Sequence, residues 1–344
     1  MSIIKNVEVE IFNNNPLAQV IVTIETHDKE IGIGEAWWGI PNSIDPGSTS
    51  RPIASVISNL IAPHIKGKDN STIEKHWIDI LEYGYRYGDQ GIFLMGLSGI
   101  DLALWDLLGK QMKKPVVDLL GGAKHDSLPA YASLPPLRDT NLVISEVQRA
   151  INSGFTAVKL HEIDPMYIDL LHNEFGESLG IMVDVNGHFT LHEAIDFGVK
   201  ISNRNIIWYE EPVKPIRDHR AIKEVAIKTG ISIAAGENEY TVDDFKRILE
   251  SDSITYLQPE ITKIGGLTIA KKISNLLETY DIFLCPHNFR PGPSLNASLH
   301  WAFSSIKSKW IEIPWVNGEF SGGYSLPLLS KGRVFLPRGN GLGN

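Results

Sequence analysis

The chain has 344 residues and carries 32 Lys and Arg against 41 Asp and Glu, a formal charge of −9. Apolar residues make up 43% and charged residues 21%, the balance of a globular protein with a sizeable buried core. The acidic surplus argues against nucleic acid and anionic membrane as partners, since both select a basic surface. One cysteine, Cys285, excludes an internal disulfide framework and a cysteine-based zinc site, and fits a reducing compartment. The opening MSIIKNVEVEIF lacks a basic segment followed by a long apolar run, and nowhere are there roughly 18 consecutive apolar residues. A soluble, cytoplasmic protein is expected.

Elements follow in chain order. Val7, Val9 and Ile11 alternate with polar neighbours, and Ala18–Ile24 and Ile31–Ala36 continue the strand pattern, so an antiparallel meander opens the chain. Ile53–Ile61 has a helical pattern. Leu97, Ile100, Leu104, Leu107 and Leu108 recur at helical spacing up to Met112, and Pro115 stops the helix. After about residue 126 short apolar strands alternate with helical stretches. The strands are Pro129–Leu134, Ala157–His161, Ile181–Val185, Ile206–Glu210, Ile231–Ala235, Tyr256–Glu260, Ile282–His287 and Trp310–Ile313. Eight such steps predict a parallel barrel rather than an open, doubly wound sheet. The expected organisation is an α+β capping domain over residues 1–125, completed by a tail from about 325 to 344, and a barrel over residues 126–324.

In such a barrel function collects at the C-terminal strand ends. Lys159, Asp184, Glu210, Glu237, Glu260, His287 and Glu312 stand there, separated by 25, 26, 27, 23, 27 and 25 residues. Each step is one strand–helix unit, so an ionisable group recurs at one phase. Asp184, Glu210 and Glu237 come from three adjacent strands. Three carboxylates in one pocket need a cation, and an all-oxygen set suits Mg²⁺ or Mn²⁺ rather than zinc. Solvated turn acids are the rival reading, which the common spacing disfavours. Lys159 and His161 stand on one side and His287 on the other. A cation flanked by Lys and His suits removal of the proton α to a carboxylate, with the cation stabilising the resulting charge.

These residues resemble the enolase superfamily, and within it the mandelate racemase/muconate lactonizing enzyme family, mandelate racemase subgroup. The resemblance covers the whole chain. It rests on Gly99–Gly109 with Leu119–Gly122, on Asp184-x-Asn186, Glu210-Glu211-Pro212 and Gly236-Glu237-Asn238, on Lys263–Gly266 and on the ending Leu336 to Gly343. It implies a modified (β/α)₇β barrel under a cap, one Mg²⁺ per subunit on Asp184, Glu210 and Glu237, and a homo-oligomer. It implies that His287 is a base oriented by Glu260, where the subgroup usually has Asp. It implies that protonated Glu312 hydrogen-bonds the substrate carboxylate. The strand-two motif is Lys159-x-His161 where the subgroup often has Lys-x-Lys. His161 is then either a base or a donor to a substrate hydroxyl.

A two-base racemase needs competent bases on both faces of the substrate, whereas one His serves a syn elimination. The expected activity is therefore Mg²⁺-dependent dehydration of a sugar acid to a 2-keto-3-deoxy acid. A racemase, epimerase or cycloisomerase using the same chemistry is the alternative, and a binding protein without catalysis a third. Asn186, Trp37, Tyr83 and Arg86 are candidate substrate contacts, the last three from the cap, where ordinary packing is an equal reading. Cys285 reads as barrel packing. The remaining histidines lie off the strand-end phase, with His188 the nearest exception.

Overall fold

The computed structural model describes residues 2–14, 17–40, 44–45, 47–315 and 326–343. β1 (Ile4–Asn14), β2 (Leu17–Thr26) and β3 (Ile31–Ala36) form the antiparallel meander in sequential order. A helical run follows, from α1 (Arg51–Val56) through a π-type turn into α2 (Ala62–Ile65). α3 (Ile73–Gly84), α4 (Ile92–Met112) and α5 (Val116–Leu119) complete the cap. The sequence reading passes over α3, whose buried Ile73, His76 and Ile80 are interleaved with exposed Ile78 and Tyr83. α4 is long and apolar enough to cross a membrane by length and composition, but 83% of its most apolar window is buried in the protein. β3 lies directly on it: a Cβ on Gly32 or Gly34 would overlap the carbonyls of Ala103 or Gly99.

The barrel alternates β4 (Leu128–Ser133), α6 (Thr140–Asn152), β5 (Ala157–Leu160), α7 (Pro165–Phe175), β6 (Gly180–Asp184), α8 (Leu191–Ile201), β7 (Ile206–Glu210) and α9 (His219–Thr229). It continues with β8 (Ile233–Ala235), α10 (Val242–Glu250), β9 (Tyr256–Leu257), α11 (Leu267–Leu277), β10 (Phe283–Leu284), α12 (Pro293–Ser304) and β11 (Ile311–Pro314). Neighbouring strands are parallel, and β11 pairs with β4. Leu284 closes the ring, its amide donating to Lys307 and its carbonyl accepting from Lys309 at 2.9 and 3.0 Å. Seven strand–helix units and a final strand match the expected (β/α)₇β barrel under a cap. β9 and β10 are shorter than expected because Pro259 and Pro286 lack the amide that a ladder needs. Beyond them Glu260 and His287 meet in an isolated parallel bridge. Tyr131, Ala157, Met182, Trp208, Ala234 and Cys285 fill the bore below the site, small against large, so Cys285 is packing.

β12 (Leu329–Ser330) and β13 (Arg333–Val334) form a hairpin whose second strand runs antiparallel to β4. The tail then reaches the cap. Gly341 accepts from the Val116 amide at 2.8 Å, and the Leu342 amide donates to Asp106 at 2.9 Å. The expected domain boundary at 324 and 325 lies outside the described residues.

Five barrel helices carry their own N-caps: Asp139, Asp164, Thr190, Asp218 and Thr241. α11 and α12 do not, since each starts from a glycine. The cap domain supplies what they lack. Asp101 of α4 accepts from the Thr268 amide, and Glu35 of β3 accepts from the Ser294 amide, both at 3.0 Å. These helices follow the loops that carry Glu260 and His287.

Candidate active site

Side chains alternate along a strand, so Lys159 and His161 of the β5 end face the pocket while Leu160 enters the core around the barrel. Lys159 is fully buried. Its Nζ lies 2.8 Å from Glu210, 2.9 Å from Glu312 and 3.3 Å from Asp184. Burial alone would lower its pKa, but these carboxylates raise it well above the usual lysine value. Lys159 is therefore a fixed cation and not a base. His161 Nδ1 donates to the Leu134 carbonyl at 2.5 Å, which fixes the ring and leaves Nε2 3.2 Å from Asp184 Oδ2.

Asp184, Glu210 and Glu237 converge, with one ligand atom from each lying within 4.8 Å of the others. Burial works against ionising them. Lys159 and His161 nonetheless hold Asp184 below the carboxylate range, and His287 and Lys263 hold Glu237 at about 2. Glu210 goes the other way, raised by burial and by Asp184. All the converging ligand atoms are carboxylate oxygens. This set fits a hard divalent cation.

Opposite Lys159, His287 Nδ1 bonds Glu260 Oε2 at 2.7 Å. The extra methylene of Glu over Asp is accommodated because Thr262 holds the other oxygen with its amide at 2.9 Å and its hydroxyl at 2.7 Å. His287 Nε2 lies 2.9 Å from Glu237. Burial would depress the imidazole, yet Glu237, Glu312 and Glu260 raise its pKa above the ordinary value, which strengthens it as a proton acceptor. Glu312 completes the floor of the pocket. Despite burial, Lys159 and His287 lower its pKa, and the Asn288 amide donates to it at 3.1 Å.

Trp37 sits over this floor, its ring centroid 6.5 Å from that of His287 and 4.1 Å from Lys263 Nζ. Trp38 stacks on Trp37 at 4.6 Å. The other candidates lie apart from the cluster. Asn186 is exposed, with its amide bonded to Asp184 at 2.8 Å. Tyr83 is exposed and stacks on His64, and Arg86 bonds Tyr85. His188 is exposed. Several residues went unassigned in the sequence. Trp208 donates to Glu210 at 2.8 Å from inside β7, where nothing distinguishes it from core. Asn238 bridges Glu237 and the buried Glu211, and Lys263 donates to Asn238. Both lie within motifs whose polar members carried the signal.

A family model described as "Enolase C-terminal domain-like" matches residues 143–344, and one described as "Mandelate racemase / muconate lactonizing enzyme, N-terminal domain" matches residues 9–121. The arabinonate dehydratase of Saccharolobus solfataricus is 29% identical over 309 residues, covering 87% of this chain and 80% of that relative. The D-galactarolactone cycloisomerase of Agrobacterium fabrum is 30% identical, over 83% of this chain and 74% of the relative. The crystal structure of the 3,6-anhydro-D-galactonate cycloisomerase from Zobellia galactanivorans superposes with a TM-score of 0.89 at 30% identity, covering 99% of this chain and 96% of that one. Matched over both halves, with the strand-end acids in place, the chain belongs to the mandelate racemase/muconate lactonizing enzyme family of the enolase superfamily.

Proposed function

We propose that the protein is a Mg²⁺-dependent sugar-acid dehydratase. It removes the proton α to a carboxylate and expels the β-hydroxyl as water, and the resulting enol ketonises to a 2-keto-3-deoxy acid. The observation that carries this reading is the asymmetry of the pocket. Among the described residues, His287 is the imidazole that a carboxylate orients toward the pocket. Glu260 fixes its Nδ1, so Nε2 is the atom that takes the α-proton and then delivers a proton to the departing hydroxyl. Lys159 is held cationic by three carboxylates and stabilises negative charge at the substrate carboxylate. His161 has one nitrogen on a backbone carbonyl and the other on Asp184, which leaves it to position rather than deprotonate. Among the described residues this disfavours a two-base racemisation.

Asp184, Glu210 and Glu237 are the residues that would hold Mg²⁺, or Mn²⁺ in its place. The bound cation would supply positive charge against the carboxylate as the α-proton leaves. Trp37 covers the reacting centre from the cap and restricts water. The names of two relatives favour a second reading, a cycloisomerase using the same single base. A panel of acid sugars incubated with Mg²⁺ in D₂O and followed by NMR separates the two. Keto acid with loss of water supports the dehydratase. An isomer formed without loss of water supports the cycloisomerase. Deuterium entering otherwise unchanged substrate with inversion refutes both.

A further inference from the structure

Arg290 lies three residues beyond His287 and is 9% exposed. Its guanidinium has no hydrogen bond and no ion pair within 4.0 Å among the described residues, and Nε is a buried donor with no acceptor. Burial lowers its pKa to about 10, only partly opposed by Glu35. Glu35 accepts from the Ser294 amide with Oε2, and its Oε1 is buried without a hydrogen bond to the guanidinium. A largely buried guanidinium whose Nε lacks an acceptor is costly, so a position that retains one awaits an acceptor.

Its surroundings lead back to the reacting centre. The guanidinium carbon sits 5.6 Å from the Trp38 ring centroid, and Trp38 stacks on Trp37, which overlies His287. Phe289 links Trp38, at 6.5 Å, to His161, at 5.9 Å. An aromatic wall thus runs from the two imidazoles to the guanidinium. The pole near Lys159 is already assigned to one carboxylate, so Arg290 matches a second anionic group further along the same molecule. Its planar fork fits a carboxylate in two-point contact.

We propose that Arg290 is the anion subsite for the end of the substrate remote from the reacting carboxylate, so that the preferred substrate is a dicarboxylic acid sugar. The proposal rests on the sugar-acid reading above. It is tested first by binding, without turnover. Adipate and hexanoate are titrated into wild type, Arg290→Met and Arg290→Lys with Mg²⁺ present, followed by calorimetry. Wild type is expected to prefer the diacid by about 10- to 100-fold, the value of a charge-assisted two-point contact. Arg290→Met is expected to abolish that preference and Arg290→Lys to keep part of it. In turnover, the ratio of kcat/KM for diacid over monoacid sugars should collapse in Arg290→Met, mainly through KM. A preference absent from wild type, or retained in Arg290→Met, overturns the proposal. So does recovery of the preference in Glu35→Gln/Arg290→Met, since Arg290 would then serve only to balance Glu35. A diacid binding preference in a wild type that turns over no acid sugar refutes the dehydratase reading and leaves the subsite standing.

Discussion

His300 of α12 joins the three parts of the chain. Its Nδ1 accepts from the Val117 amide of α5 at 3.1 Å, and its Nε2 donates to the Leu342 carbonyl of the tail at 3.1 Å. One nitrogen must stay bare for the first bond, so the neutral ring is the native form. Burial lowers its pKa from 6.5 to about 4. The unfolded chain therefore binds more protons than the native state between these values, and stability is full above pH 6.5 and falls as the pH drops toward 4. The loss from this one group comes to about 2 kcal/mol at pH 5 and about 3 kcal/mol at pH 4. The perturbation is His300→Asn, whose side-chain oxygen can still accept from Val117 but which does not titrate. At pH 7 it should cost about 1 kcal/mol for the lost Leu342 contact. The assay is urea unfolding of both proteins at pH 7 and pH 5, with EDTA present so that cation loss does not contribute. Between these pH values wild type should lose about 2 kcal/mol more than the variant, the active-site carboxylates cancelling in the comparison. Equal losses in the two proteins would refute the argument that His300 is held neutral.

Three further outcomes follow from the site and its supports. Glu260→Gln keeps an acceptor for His287 but removes its charge; kcat should fall by about 10²- to 10⁴-fold, and the acid limb of the pH–rate profile should move to lower pH, because the imidazolium loses a partner that raises its pKa. Asp184→Asn removes one convergent oxygen ligand, so Mn²⁺ binding followed by electron paramagnetic resonance should weaken by at least about 100-fold, beyond the usual outer-shell effect. Gly266→Ala places a side chain at φ +78° against the Asp101 carboxylate, and should destabilise the protein by about 1–3 kcal/mol, read as a lowered melting temperature.

The barrel was legible because its strands are buried on both faces and its strand ends carry charge where core would be apolar. Asp184 and Glu210 are 1% and 0% exposed, and an ionisable residue at that depth is rare unless paired or coordinated. Regular spacing turned seven such residues into a ring. Tyr83 and Arg86 have the chemistry of a polyol contact, but they end α3 on the outer cap, and nothing in their local pattern distinguishes that surface from the pocket wall. Glu312 meets Lys159 at 2.9 Å, a contact across the barrel seam that no local pattern reveals. Arg290 looks like a surface residue in a Pro/Gly loop, and only its burial beneath Trp38 separates it from one.

The coupling of cap to barrel was likewise invisible in sequence, and it bears on how the site forms. Gly266 and Gly292 read as loop residues that leave α11 and α12 without side-chain caps. A helix lacking its N-cap loses about 1 kcal/mol, and the loop entering it loses an anchor. Here both anchors come from the other domain. Asp101 takes the Thr268 amide and hydroxyl, while Ser98 takes the Gly265 amide, at the far end of the turn that begins with Glu260. Glu35 takes the Ser294 amide and Gln19 reaches Pro291, at the far end of the loop that begins with His287. Glu260 and His287, the proposed proton-transfer dyad, thus sit on loops whose distal ends are fastened by the docked cap. The cap does more than shape the pocket roof: the barrel strands alone place His287 and Glu260 at neighbouring strand ends, but their loops acquire a fixed path through carboxylates on β3 and α4.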